Sequence, residues 1–173
     1  MPDHPIRSNP AAKAFVSTSQ RFCMLLEHPV RDRDLWLADL LTTLAAVYAA
    51  APHLRDLPLP DASEDIPQDF RLTNDEWTTL YTHLKHTLST AAFYNAHFSP
   101  TTASPTDEPS QGDLADDLAD IYRDLKPGLV AWNTGDDRYL QDVLYQWVHY
   151  GYVHHWGRHA VNAMRALHEL VFN

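Results

Sequence analysis

A cluster of histidines near the C-terminal end of the chain has spacing that could bind a metal ion. The cluster comprises His149, His154, His155 and His159. On a helix, His155 and His159 would project from one face, so both imidazoles could reach a single ion. A zinc hydrolase of the His-Glu-x-x-His type has a glutamate between its histidines, whereas positions 156–158 are Trp, Gly and Arg. The positive charge of Arg158 disfavours a cation beside it, and two histidines are too few ligands to complete a metal site. We therefore expect no bound metal and no cofactor, and no stoichiometric metal in the purified protein.

Aspartates at helical spacing form a second candidate for metal chemistry. Their carboxylates lie along one edge of a predicted helix, at Asp113, Asp117, Asp120 and Asp124. Mg²⁺ and Mn²⁺ prefer oxygen ligands, and this edge could also lend ligands to the histidine pair. However, the spacing is Asp-x-x-Asp, with no matching Glu-x-x-Glu on an earlier helix. Runs of charge are most often solvated or salt-bridged helix edges, so the same residues also fit a structural role.

A polar stripe follows on the last predicted helix. If that helix is continuous, His154, Arg158 and Arg165 lie on the side that its first half buries. Buried guanidinium groups need carboxylate partners, and we expect Arg165 to be largely buried and paired with Asp120 or Asp124. Two interpretations stay open, namely a salt-bridge network that fixes helix register and a polar pocket for an anionic or amide-bearing ligand. The residues of this pocket or network are Asp117, Asp120, Asp124, His154, His155, Arg158, His159 and Arg165, and no catalytic residue is assigned.

The elements that must position these residues are helices, because the apolar spacing is close to 3.6 residues in every long segment. Asn9 and Pro10 predict the start of a first helix, which ends near residue 28. A second helix is expected from about 32 to 51, ended by Pro52. The capping box formed by residues 73–76 predicts the start of a third helix.

Two further segments complete an all-α bundle of five to six helices. A fourth helix is expected over about 112–132, with a kink at Pro127. For residues 137–172 we favour one long C-terminal helix over a break between Gly151 and Gly157. Residues 1–9 are predicted to be a disordered lead-in, and residues 10–173 a single domain with a mobile loop at 99–111.

Composition restricts the classes of partner. The 173-residue chain carries 13 Lys and Arg against 23 Asp and Glu, a formal net charge of −10. Without a basic stripe we expect neither a nucleic-acid partner nor an anionic membrane surface. The lone Cys23 excludes an intrachain disulfide. The N-terminal residues lack the apolar segment of a secretory signal, and no run of residues is expected to approach the apolar length needed to span a bilayer, so the predicted location is the cytoplasm.

Two blocks of sequence resemble a known bacterial family. They are positions 117–126 (DLADIYRDLK) and 155–168 (HWGRHAVNAMRALH), and they resemble the family catalogued as domain of unknown function 5063. The resemblance covers roughly the C-terminal 60 residues and implies an all-helical bacterial domain without an established activity or catalytic residues. Family members often read DLADIYQDLKDFL, whereas this chain has Pro127 within that block.

These observations leave two functions of different classes. The preferred interpretation is a non-catalytic cytoplasmic binding or protein-interaction domain, whose acidic surface meets an unknown protein partner. The alternative is a metal-dependent hydrolase or small-ligand enzyme that uses the Asp edge with the C-terminal His and Arg residues. A deep polar pocket between the last two helices would favour the enzyme, and an exposed apolar patch would favour the interaction domain.

Overall fold

The computed structural model of the chain describes residues 5–28, 30–55, 57, 70–96, 108–135, 137 and 139–173. Helices dominate these residues, which confirms the all-α prediction. In chain order the helices are α1 (Pro5–Ser8), α2 (Pro10–Glu27), α3 (Arg33–Arg55), α4 (Asn74–Leu88), α5 (Leu114–Thr134), α6 (Leu140–Tyr145), α7 (Tyr152–His154) and α8 (Trp156–Phe172). A 3₁₀ turn at Ser89–Ala92 follows α4, and a π-helical turn at Gln146–Gly151 follows α6.

Two short strands form a hairpin-like pair between α4 and α5. Strand β1 (Phe93–Ala96) pairs antiparallel with β2 (Ser110–Asp113), with Tyr94 opposite Gly112. The mobile loop predicted at 99–111 lies outside the described residues over positions 99–107. Its last two residues belong to β2 instead, because their backbone groups pair with β1.

Local capping signals place two helix starts as predicted. The Asn9 side chain accepts hydrogen bonds from the backbone N–H groups of Ala11 and Ala12 at the start of α2. Thr73 and Glu76 form the expected reciprocal capping box at the start of α4. Both caps satisfy backbone N–H groups that the first turn of a helix leaves without partners. The starts of α2 and α4 therefore depend only on residues nearby in the sequence.

Two segment ends differ from the sequence-based expectation. The segment predicted as a disordered lead-in is helical over Pro5–Ser8, and Arg7 donates to Asp137 Oδ1 at 2.6 Å and to the Trp132 carbonyl at 2.7 Å. Helix α3 continues past Pro52 to Arg55, although Pro52 was expected to end it. The fully buried Leu54 holds that last turn in the core, so packing outweighs the missing proline N–H.

Helix α3 is the most apolar element of the bundle. With 23 residues and a mean hydropathy of 1.4 in its best window, it is long and apolar enough by composition to cross a membrane. The expectation that no segment meets that criterion is therefore wrong for α3. Its Leu40, Leu44 and Val47 are fully buried, and the helix packs against α2 and α8. These contacts make α3 a core helix of this fold.

The C-terminal segment is broken rather than continuous. His155 has φ −131° and ψ −93°, so α7 stops there and α8 begins at Trp156. A Cβ atom on Gly157 would lie 2.0 Å from the Tyr152 carbonyl oxygen, so only glycine permits this close approach. Trp156 is fully buried, and its indole N–H donates to the Trp147 carbonyl at 2.8 Å. The predicted long helix is wrong because this tertiary packing is invisible to apolar periodicity.

Candidate metal site

Helix α5 presents three aspartates toward the start of α8. Asp117, Asp120 and Asp124 are spaced by three and four residues, which places them on adjacent positions of one helix face. Asp117 and Asp120 are buried, with 4% and 8% of their surface exposed. Carboxylates at this depth require hydrogen-bond or charge partners. Those partners come from α4, β1, the junction of α7 with α8, α8, and α5 itself.

His155 and His159 each make one short hydrogen bond to this face. His155 Nδ1 lies 2.7 Å from Asp124 Oδ2, and His159 Nδ1 lies 2.7 Å from Asp117 Oδ1. An ionised carboxylate only accepts hydrogen bonds, so each imidazole carries a proton on Nδ1. The break at His155 and the four-residue spacing to His159 bring both rings to the same side, with centroids 4.9 Å apart. In the neutral ring, each Nε2 therefore has a free lone pair.

Both Nε2 atoms face one oxygen of Asp120. His159 Nε2 lies 3.6 Å from Asp120 Oδ2, and His155 Nε2 lies 3.8 Å from the same oxygen. One potential ligand atom from each of the three residues lies within 4.8 Å of the others. These separations exceed hydrogen-bond lengths. Two ligands held at about 2.1 Å by a tetrahedral ion lie about 3.4 Å apart, close to the distances observed here.

The second oxygen of Asp120 is held from the opposite direction. Asp120 Oδ1 accepts a hydrogen bond from Trp77 Nε1 at 2.9 Å and lies 3.0 Å from Arg123 Nη2. The Arg123 guanidinium also lies over the Trp77 ring, 5.7 Å from its centroid. These two donors orient the carboxylate so that Oδ2 is the oxygen presented to the imidazoles.

Asp117 is likewise held at both oxygens. Its Oδ2 accepts a hydrogen bond from the Tyr94 hydroxyl at 2.5 Å, while its Oδ1 faces His159. Burial and the hydrogen bond to Asp117 raise the pKa of Tyr94, so its hydroxyl keeps its proton and remains a donor. A Cβ on Gly112 would lie 2.3 Å from the Tyr94 ring, so glycine opposite Tyr94 in the hairpin lets the ring lie across β2.

The charge balance of the cluster is negative. The carboxylates of Asp116, Asp117, Asp120 and Asp124 surround the two imidazoles, and the Arg123 guanidinium lies 3.0 Å from Asp120 Oδ1. Hydrogen bonds to Asp124 and Asp117 raise the pKa values of His155 and His159 respectively, against the opposing effect of burial. Burial and repulsion from Asp120 raise the pKa of Asp116. All three shifts favour binding of positive charge at this point.

The remaining residues of the predicted polar stripe lie elsewhere. His154, Arg158 and Arg165 are all exposed. The prediction that Arg165 is buried and paired with Asp120 or Asp124 is wrong. Arg165 lines a surface groove beside Glu169, while the histidines contact those aspartates. Arg165 lies away from the aspartates because of the break at His155. After the break, α8 buries a different face from α6, and that face places His155 and His159 beside α5.

Sequence reasoning missed Trp77 and Tyr94. Both lie on elements other than the two that carry the cluster, and each contributes a hydrogen-bond donor to one aspartate. Trp77 follows the apolar spacing of its helix, which is typical of a core residue and gives no sign of a role beside Asp120. The position of Tyr94 depends on strand pairing between β1 and β2, for which the sequence carries no turn signal.

Comparison with known proteins supports the fold and extends the family relationship. The family model described as "Domain of unknown function (DUF5063)" matches residues 7–173, so the resemblance is not confined to the C-terminal 60 residues. The crystal structure of protein BF1032 from Bacteroides fragilis is similar, with a TM-score of 0.76 and 22% sequence identity. The match covers 97% of this chain and 99% of that chain. No curated protein matches the sequence.

Proposed function

The chain belongs to the DUF5063 family, and we propose that it is a metal-dependent hydrolase with one divalent transition-metal ion bound by Asp120, His155 and His159. The observation that carries this proposal is the convergence of both Nε2 atoms on one oxygen of Asp120. The sequence left two functions open, and the proposal takes the metal-dependent hydrolase in place of the protein-interaction domain that the sequence alone favoured. It also reverses the expectation of a protein purified without stoichiometric metal.

The outer contacts of the cluster favour metal binding over a simple ion-pair network. Metal-bound histidines usually donate their other ring N–H to a carboxylate, which fixes the tautomer and strengthens the ligand. Here Asp124 and Asp117 accept those hydrogen bonds from His155 and His159 at 2.7 Å each. A network built only for stability would place Nε2 at hydrogen-bond distance from Asp120, instead of 3.6 Å or more away.

The donor set selects the kind of ion. Two imidazole nitrogens and one carboxylate oxygen suit Zn²⁺ and other first-row transition metals better than Mg²⁺ or Ca²⁺, which prefer oxygen ligands. Zn²⁺ is therefore the appropriate first probe. The guanidinium of Arg158, which counted against a metal in the sequence, is exposed. Arg123 contacts the cluster instead, through the Asp120 oxygen that faces away from the histidines.

Three protein ligands suit a catalytic site better than a closed structural one. A four-coordinate zinc ion with three protein ligands keeps its fourth position for water, and binding to the ion lowers the pKa of that water enough to supply hydroxide near neutral pH. The histidine side chains are 35% and 24% exposed, so solvent and a small substrate can reach this position. These properties support a hydrolytic reaction.

Zinc titration of metal-stripped protein tests the metal site. We expect one Zn²⁺ per chain by calorimetry, with affinity lowered at least about 100-fold in His159→Gln or Asp120→Asn, since each removes a direct ligand. His154→Gln is the matched control, because it changes an exposed neighbouring histidine. Absence of stoichiometric zinc in the wild type, or equal losses in the His154 and His159 variants, would contradict the proposal.

A protein-interaction domain is the second candidate function, and an exposed apolar groove between α2 and α3 supports it. The groove has a volume of about 420 Å³. Met24 and Leu35 lie along it with 55% and 68% of their surface exposed. Exposed apolar patches often mark protein contacts. A partner captured by wild-type protein should be lost with Leu35→Glu and retained with His159→Gln. The reverse pattern would argue against the groove as the docking surface.

A further inference from the structure

A cavity of about 280 Å³ lies against the residues that support the proposed metal site. It is lined by Arg71, Leu72, Arg123, Asp124, Pro127 and Gln146. Arg123 contacts Asp120 Oδ1, and Asp124 accepts the His155 Nδ1 hydrogen bond. Two residues that line the cavity, Arg123 and Asp124, therefore also hold ligands of the proposed metal site in place. From this arrangement we infer that the cavity binds the phosphate group of a small phosphorylated substrate.

The polar lining of the cavity is suited to an anion. Arg71, Arg123 and Gln146 line the same space, and their side chains carry two cationic groups and one amide. The single carboxylate among the lining residues, Asp124, is engaged with the imidazole of His155. This concentration of arginine stands out in a chain whose formal net charge is −10. One guanidinium group can donate two parallel hydrogen bonds to a phosphate, and such charge-assisted hydrogen bonds are stronger than those between neutral groups.

The geometry favours phosphate over a carboxylate group. Arg71 precedes α4 and Arg123 lies on α5, so the two guanidiniums belong to different elements of the fold. A tetrahedral phosphate has oxygens for both arginines and for the Gln146 amide, whereas a planar carboxylate has only two. Leu72 and Pro127 supply apolar contact for a short carbon portion. A cavity at the small end of ligand pockets limits the substrate to a small molecule.

The proximity of this cavity to Asp120 links phosphate binding to the reaction, and this link rests on the proposed function. Arg123 Nη2 is 3.0 Å from Asp120 Oδ1, and the other oxygen of that carboxylate is the proposed metal ligand. The phosphate would therefore hold the substrate beside the ion, through Arg123, instead of binding the ion itself. Inorganic phosphate carries the group that the cavity is proposed to bind, so it is the probe.

Phosphate binding should be measured by calorimetry on metal-stripped protein and on protein loaded with one equivalent of Zn²⁺. We expect binding in both forms, tighter with zinc, and weakened about 10-fold or more in Arg71→Gln through loss of a charge-assisted contact. Zinc affinity should be unchanged in that variant, because Arg71 is not one of the three proposed metal ligands. Arg165→Gln is the matched control, since it removes the same charge from an exposed position beside another groove.

The two proposals fail in different ways. Zinc binding without phosphate binding in either form would overturn the phosphate site and leave the metal site standing. Phosphate binding that depends on Arg71, without zinc binding, would support the anion site and overturn the metal-dependent function. Equal phosphate affinity in wild type and Arg71→Gln would overturn the assignment of this cavity, as would equal losses in the Arg71 and Arg165 variants.

Discussion

His159 Nε2 lies 3.6 Å from Asp120 Oδ2, a separation too long for a hydrogen bond and close to that of two ligands of one ion. The same ring is fixed at its other nitrogen by Asp117, and Asp120 is fixed at its other oxygen by Trp77. In both His159 and Asp120, one polar atom is therefore held by the protein, and the second polar atom faces the other residue. Such a division between held and available atoms is typical of metal ligands and the outer contacts that orient them.

The aspartates behind the histidines should control metal affinity. Replacing Asp124 with Asn keeps the shape of the side chain but removes the charge that strengthens the His155 ligand. Loss of such outer contacts typically lowers affinity by about 10- to 100-fold. We expect a zinc affinity reduced by this factor in calorimetric titration, with one ion still bound. Asp34→Asn, on an exposed residue at the start of α3, is the control and should leave the affinity unchanged.

Stability should depend on pH in opposite directions without and with zinc. In the metal-free protein, hydrogen bonds to Asp124 and Asp117 raise the pKa values of His155 and His159. Because unfolded histidine titrates near about 6.5, the stability from these pairs is fully present below that pH and is lost as pH rises through the folded pKa values. Zinc requires neutral imidazoles, so its stabilisation increases over the same range.

Urea denaturation between about pH 5.5 and 8 measures both slopes. We expect the unfolding free energy of the metal-free protein to fall with rising pH, and the zinc-induced increase in that energy to grow. The double variant His155→Gln with His159→Gln removes both groups and should flatten both dependences. Parallel slopes with and without zinc in the wild type would mean that these histidines are not the ligands.

Most of the candidate residues could be predicted from the sequence, because their spacing is a local property. Asp117, Asp120, Asp124, His155 and His159 are all residues that the sequence singles out and the fold brings together. Helix starts with side-chain caps were predictable for the same reason. A capping side chain satisfies donors within three residues, so no knowledge of the rest of the fold is needed.

The pairing between elements could not be predicted, because it depends on a break in the last helix. Apolar periodicity favoured a continuous helix with Arg165 directed toward the aspartates. At the break, Gly157 packs closely on the Tyr152 carbonyl, and apolar spacing does not report this contact although Gly151 and Gly157 marked the alternative. Tyr94 was missed for a related reason, since its register is set by pairing of β1 with β2.

Tyr94 should support the site through Asp117. Tyr94→Phe removes the hydroxyl that donates to Asp117 Oδ2 and leaves that oxygen of a buried carboxylate without this partner. We expect a loss of about 1–3 kcal/mol in unfolding free energy and a several-fold weaker zinc affinity. Gly112→Ala should reproduce both effects, because the new Cβ would lie 2.3 Å from the Tyr94 ring. Unchanged zinc affinity in both variants would exclude a supporting role for Tyr94.

Gly157 permits the break at His155 and should not tolerate a side chain. Gly→Ala within a helix ordinarily stabilises a protein, by up to about 1 kcal/mol. At Gly157 the added Cβ would lie 2.0 Å from the Tyr152 carbonyl oxygen, and a backbone atom cannot move aside as the end of a flexible side chain can. We therefore expect Gly157→Ala to lower the unfolding free energy by about 2 kcal/mol or more, in the range of strained or overpacked variants. The variant should also bind zinc more weakly, since relief of the clash moves His155 relative to Asp120. Ala160→Gly, at another buried position of the same helix, provides the reference for an exchange of glycine and alanine. Stabilisation of the protein by Gly157→Ala would show that the α7–α8 junction tolerates a side chain, and the explanation of the break from this contact would then be wrong.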